Sequence, residues 1–204
     1  MRIGIDLDNT LIGYDRLFLR IARDWNLVPA DFSGGKTGVR DAVRETSGES
    51  AWMRLQAEAY GVRMAEAELI EGADAFLRGS RKAGATVFVV SHKTKHAAAD
   101  PGGIDLHRAA LAWMEAAGFF SANGFALDRA NIFFEPSREA KCRRIAVLDC
   151  RVFIDDLEEV FREPAFPPGV ERLLLHRGEG APPQGPFTVY RHWREVGDAV
   201  FAAP

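Results

Sequence analysis

The chain has 204 residues, of which 47% are hydrophobic and 27% charged, with a net charge of −3. That balance suits a globular protein of one domain, or one domain with a sizeable insertion, and gives no general reason to expect a nucleic-acid polymer or a membrane as partner. The two cysteines, Cys142 and Cys150, form neither a metal-type pair nor a disulfide framework. No apolar run approaches the roughly 18 residues of a membrane helix, and the first one is short and ends in aspartates, unlike a secretory signal; a cytoplasmic location is expected.

In chain order, Arg2–Leu7 is an apolar strand that runs into Asp6 and Asp8. From Tyr14 the pattern becomes helical, with Leu17, Ile21 and Trp25 in one row and Phe18 and Ala22 beside it. A loop over Asp31–Gly38 is followed by shorter amphipathic pieces, Val39–Thr46, Ser50–Tyr60 and Ala65–Leu69. Ile70 opens a helix that Gly84 closes. Thr86–Val90, β-branched and apolar throughout, reads as a buried parallel strand.

A helix over Leu106–Ala117 and a short strand, Ile132–Phe134, come next. They are followed by a helix over Glu139–Leu148, a strand Val152–Ile154 ending in Asp155-Asp156, and a strand Arg172–Leu175. The Pro/Gly-rich stretch Gly178–Pro186 is a loop, and Trp193–Phe201 a last helix.

Strands alternating with helices predict a doubly wound, parallel α/β sheet of about five strands. About 75 residues separate the first two strands, where a crossover needs about a dozen or more. The surplus predicts an inserted helical unit, residues 13–69, in a core formed by residues 1–12 and 70–204.

Open parallel sheets bind ligands beyond the carboxyl ends of their strands. Four predicted strands place Asp6 with Asp8, Ser91, Glu135, and Asp155 with Asp156 at those ends. Strand side chains alternate, so Asp6 and Asp8 share a side. Carboxylates held that close need a cation or a shared proton between them. An all-oxygen set suits Mg²⁺, and the pair suits a nucleophile beside a general acid.

With these residues in place, the chain resembles the haloacid dehalogenase-like superfamily, whose members are mostly Mg²⁺-dependent phosphatases on a Rossmann-like sheet. The resemblance rests on Ile5-Asp6-Leu7-Asp8-Asn9-Thr10, on Val89-Val90-Ser91, on a lysine in the helix before the fourth strand, and on Val152-Phe153-Ile154-Asp155-Asp156. Lys141 is the natural match for the lysine, with Arg138, Arg143 and Arg144 as rivals.

The resemblance implies Asp6 as nucleophile, forming an aspartyl-phosphate, and Asp8 as general acid and then base. It implies Mg²⁺ held by Asp6, Asp8 through its backbone carbonyl, and Asp155 or Asp156, with Glu159 able to join through water. Ser91 and Lys141 would hold the transferring group, and Thr10 and His92 join them as substrate contacts; Lys93, next in sequence, is also within reach of a substrate. The family's dehalogenases lack an acid two residues after the nucleophile, so Asp8 favours phosphoryl transfer.

The implied partner is a small phosphorylated metabolite, a sugar phosphate or a nucleotide. The inserted unit matches the family's small helical cap, whose closure would exclude water; its Arg40, Arg44, Arg54 and Arg63 face solvent or grip an anionic group of the substrate. A phosphomutase of the same superfamily and a non-catalytic metal-binding module are the alternatives. The sequence leaves the oligomeric state open.

Two weaker patterns read as decoys. Gly34-Gly35-Lys36-Thr37 lacks the first glycine and the preceding strand of a phosphate loop. His92, His96, Asp100 and His107 are better read as solvated loop residues than as a zinc set.

Overall fold

Apolar β-branched runs become strands, and runs with apolar residues three and four apart become helices, as their periods require. The computed structural model describes residues 1–99, 103–178 and 180–202. It begins with β1 (Arg2–Ile5), β2 (Ile12–Gly13), α1 (Asp15–Asp24), α2 (Lys36–Ala57) and β3 (Glu68–Leu69). There follow α3 (Ala73–Lys82), β4 (Thr86–His92), α4 (Leu106–Ala116), β5 (Ile132–Glu135) and α5 (Arg138–Val147). The last elements are β6 (Val152–Asp155), α6 (Glu158–Phe161), β7 (Glu171–Leu175), β8 (Thr188–Tyr190) and α7 (Trp193–Phe201).

Six strands form the main sheet in the order β5-β4-β1-β6-β7-β8, and every neighbouring pair is parallel. The expectation of about five strands omits β8. Its three residues follow a Pro/Gly-rich stretch and carry too short a pattern to read, and they become a strand by pairing Thr188–Tyr190 with Leu173–Leu175. The order runs outward from β1 in both directions, so the topological switch point lies beside β1. The crevice beyond the carboxyl ends of β1 and its neighbours is where such a sheet binds ligands.

On one face, Phe88, Val90, Phe153 and Leu174 pack with Cys142 and Ile145 of α5 and with Leu148. A Cβ on Gly4 would overlap the ring of Phe153, its register partner on β6, so the glycine makes room for that ring. Period two then carries Asp6 and Asp155 onto the side of the sheet that α5 covers.

The chain divides into two compact units, Met1–Ile12 with Leu69–Lys93 and Gly118–Pro204, and Gly13–Glu68 with Thr94–Ala117. In the second unit α1 buries Leu17, Phe18, Ile21 and Ala22. Trp25, expected in the same row, caps the end of α1 and is 40% exposed. Phe18 stacks on Trp52 at 5.1 Å between ring centroids, and Tyr14 meets Tyr60 edge-on at 4.8 Å. Gly48, at φ 79°, breaks α2 at the boundary between its two expected pieces.

The expected boundary at residues 13–69 leaves 94–117 in the sheet unit, whereas α4 belongs to the second one. Asp105 caps α4 by accepting from the His107 and Arg108 N–H groups, and Trp113 Nε1 donates to the Ala67 carbonyl at 2.8 Å. Helical period reveals that α4 has an apolar face, but not which element covers it.

Candidate active site

Asp6 directly follows β1 and extends its ladder, its N–H donating to the Ile154 carbonyl at 2.9 Å. The chain then turns tightly: Leu11 N–H and Ile12 N–H both donate to the Leu7 carbonyl, and Asn9 N–H to the Ile12 carbonyl. Asn9 takes φ 60° here, a left-handed conformation that asparagine tolerates better than most residues. This turn fixes Asp8 beside Asp6.

Lys141 is the cation between Asp6 and Asp155. Ser137 caps α5 through its hydroxyl, and helix side chains lean towards the N-terminus, which brings the Lys141 side chain back to the strand ends. Its Nζ lies 2.5 Å from Asp6 Oδ1 and 2.6 Å from Asp155 Oδ2. The rival arginines are engaged elsewhere: Arg138 with Glu163, Arg143 with Glu139, and Arg144 with Glu135.

Asp6, Asp155 and Asp156 each bring a carboxylate oxygen within 4.8 Å of the other two. Lys141 contacts two of these three carboxylates, Asp6 and Asp155. Burial, opposed by Lys141 and reinforced by the like charges of Asp155, Asp156 and Asp8, lifts the Asp6 carboxyl well above its ordinary range. The two carboxylates beside Lys141 outweigh its burial and hold it in its charged form. The surplus of negative charge and the all-oxygen donors fit a hard divalent cation such as Mg²⁺.

Asp155 engages both its oxygens, one with Lys141 and one accepting from the Leu157 N–H at 3.0 Å. Asp156 is gripped by Thr10: the hydroxyl donates to Asp156 Oδ1 at 3.0 Å and accepts from the Asp156 N–H at 3.1 Å. Thr10, expected to touch substrate, is fully buried and in turn has its carbonyl bonded by Trp193 Nε1. Its structural part is to hold Asp156. Glu159 is exposed and stands outside the carboxylate cluster.

Ser91 lies on β4, where β4 runs beside β1, and it is 1% exposed. Its Oγ is the one buried side-chain polar atom among the described residues with no hydrogen-bond partner. Such a group is costly unless something it binds completes it. His92 is exposed at the end of β4; partial desolvation, and then the charges of Lys141 and Arg138, hold its imidazole below the usual 6.5.

Asp8 does not share Lys141. Its carboxylate takes Lys93 Nζ at 3.1 Å on one oxygen and 2.8 Å on the other, so of the expected metal set its side chain stands apart from the three clustered aspartates. The pairing joins residues 85 positions apart, whereas the sequence places Lys93 only within reach of a substrate, after Ser91 and His92. Alternation along β4, which puts positions 91 and 93 on one side, is the signal that would have found it.

The remaining expected positions lie elsewhere. Glu135 pairs with Arg144 at 2.7 Å. Arg40, Arg44 and Arg63 are paired with Asp41, Glu49, and Asp24 with Glu66; Arg54 is exposed. Gly35 caps α2, and the Lys36 N–H donates to Asp15 Oδ1, so a carboxylate of the chain itself meets that helix N-terminus. Of the histidine group, His96 contacts the Gly103 carbonyl, and Asp100 lies outside the described residues.

No protein-family model and no curated protein sequence matches the chain, but solved structures do. A HAD family hydrolase from Deinococcus radiodurans R1, with bound phosphate and sodium, aligns over 98% of this chain and 94% of its own, at TM-score 0.57 and 18% identity. The chain has the haloacid dehalogenase-like (HAD) fold. A predicted phosphatase from Clostridium acetobutylicum matches over 99% of this chain and 98% of its own, at TM-score 0.54 and 13% identity. An L-2-haloacid dehalogenase matches over 98% and 97%, at TM-score 0.59 and 11% identity. At these identities the likeness to these proteins is one of fold, and the chemistry rests on the site itself.

Proposed function

We propose that the chain is a Mg²⁺-dependent phosphatase that hydrolyses a small phosphomonoester, a sugar phosphate or a nucleotide, through an aspartyl-phosphate on Asp6. The observation that carries this reading is the unpartnered, buried Ser91 Oγ on the strand next to the Asp6–Lys141–Asp155 cluster. A phosphoryl oxygen would complete that hydroxyl, and Lys141 would offset its charge.

Asp6 attacks phosphorus, and the bond from phosphorus to the ester oxygen breaks. The departing oxygen takes a proton from Asp8. A water then attacks the phosphorylated Asp6, gives its proton to Asp8, and releases inorganic phosphate. Mg²⁺, held by Asp6, the Asp8 carbonyl and Asp155 or Asp156, would screen the repulsion between carboxylate and phosphate. A carboxyl group two residues after the nucleophile serves a leaving alkoxide, which needs a proton, and has no task in displacing a halide.

Asp6, Ser91 and Lys141 are 6%, 1% and 1% exposed, which favours a small ester over a phosphate carried on a folded protein. By the resemblance to capped members of the superfamily, the second compact unit is the part of the chain that selects among esters.

The test is a screen of phosphate esters with and without Mg²⁺, using wild type, Asp6→Asn and Asp8→Asn. Wild type should turn over at least one small ester only with the metal, and both variants should lose that activity. Turnover that survives Asp6→Asn would refute the nucleophile assignment, and metal binding without any turnover would favour a binding module.

A further inference from the structure

Lys93 stands immediately beyond the last residue of β4, and its N–H donates to the Glu135 carbonyl at 3.1 Å, which prolongs the ladder to β5 by one residue. Its side chain is only 4% exposed. Burying an ammonium group is costly unless it is paired and hydrogen-bonded, and here it contacts both oxygens of Asp8, at 3.1 and 2.8 Å. A carboxylate held at both oxygens cannot rotate freely about its terminal torsion, which is otherwise broad.

We propose that Lys93 is a positioning residue: it fixes the Asp8 carboxyl in the orientation from which it passes a proton to the leaving oxygen. This rests on the phosphatase reading and adds a residue to it. In the step concerned, the Asp6 oxygen–phosphorus bond forms and the phosphorus–ester oxygen bond breaks. The electron pair stays on the ester oxygen, and that oxygen takes a proton from Asp8, which enters the step as the protonated acid with one oxygen still accepting from Lys93 and leaves it as the carboxylate. Proton transfer falls off steeply with misplacement of the donor. A leaving group that is already a stable anion departs without the proton and so does not feel the orientation of Asp8.

The experiment compares phenyl phosphate with p-nitrophenyl phosphate, esters of similar size whose leaving groups differ in basicity. It is run on the full chain with Mg²⁺, and kcat/KM is read because it reports leaving-group departure and not the later hydrolysis. Lys93→Met should lower kcat/KM about tenfold or more for phenyl phosphate and less than about threefold for p-nitrophenyl phosphate. Lys93→Arg should recover part of the loss. In an Asp8→Asn background, Lys93→Met should add no further discrimination between the two esters.

Equal losses on both esters would overturn the positioning role and leave the phosphatase reading standing. A wild-type chain inactive on every phosphate ester would overturn that reading, and the role of Lys93 with it. Far-ultraviolet circular dichroism checks folding; if Lys93→Met does not fold, Lys93→Gln, which keeps one donor on Asp8, is read by the same ratio.

Discussion

Lys141 Nζ stands 2.5 Å from Asp6 Oδ1, with both side chains all but removed from solvent. One ammonium group thus serves the proposed nucleophile and, through Asp155 at 2.6 Å, the cluster that would hold a cation. Removing one member of such a group leaves buried charge without compensation, and that cost exceeds what the pair contributes when intact.

Lys141→Met should therefore destabilise the chain by about 3–5 kcal/mol, as read from denaturant melts at neutral pH, and abolish turnover. A variant as stable as wild type would mean that the cluster tolerates its surplus charge by other means.

The cluster also fixes a pH dependence. The folded chain lifts Asp6 above its ordinary value of 3.8, so above that value the native state binds more protons than the unfolded chain. The stability this contributes is fully present below 3.8 and is lost as pH rises through the raised value. In chelator, wild type should lose stability across that window, and Asp6→Asn should flatten the loss and melt higher at alkaline pH. Parallel melting profiles for the two proteins would contradict this.

Ser91→Ala separates stability from activity. The hydroxyl has no partner to lose, so the melting temperature should hold or rise. Losing one donor to the transferring group should lower kcat by about 10²-fold. Equal, small changes in both would remove Ser91 from the chemistry.

Thr10 acts through Asp156. Thr10→Val keeps the shape and deletes both hydrogen bonds, one of them from the Asp156 backbone, and should cost about 1–3 kcal/mol. It should also weaken Mg²⁺ binding, measured by calorimetry, more than it weakens phosphate binding. Unchanged metal affinity would show that Asp156 needs no such support.

What the sequence discloses here is local. Asp6, Ser91 and Asp155-Asp156 could be read because each ends an apolar run, and strand geometry puts such residues at one edge of a parallel sheet. The resemblance already favours Lys141 over Arg138, Arg143 and Arg144, and in the folded chain each arginine meets a carboxylate elsewhere. Contacts between distant segments leave no trace in pattern or spacing, as with Thr10 on Asp156 and α4 in the second unit through Trp113 and Ala67; alternation puts Lys93 on the side of Ser91 but does not name Asp8 as its partner. The strand β8 was hidden for another reason, since three residues carry too little of a period-two signal.

The most direct test of the account is to trap the covalent intermediate. Wild type turning over a phosphate ester in Mg²⁺ is quenched in acid, digested and examined by mass spectrometry. The account predicts the mass gain of one phosphoryl group on the peptide that contains Asp6, and none in Asp6→Asn. A phosphoryl group on any other residue, or turnover that persists in Asp6→Asn, would contradict it.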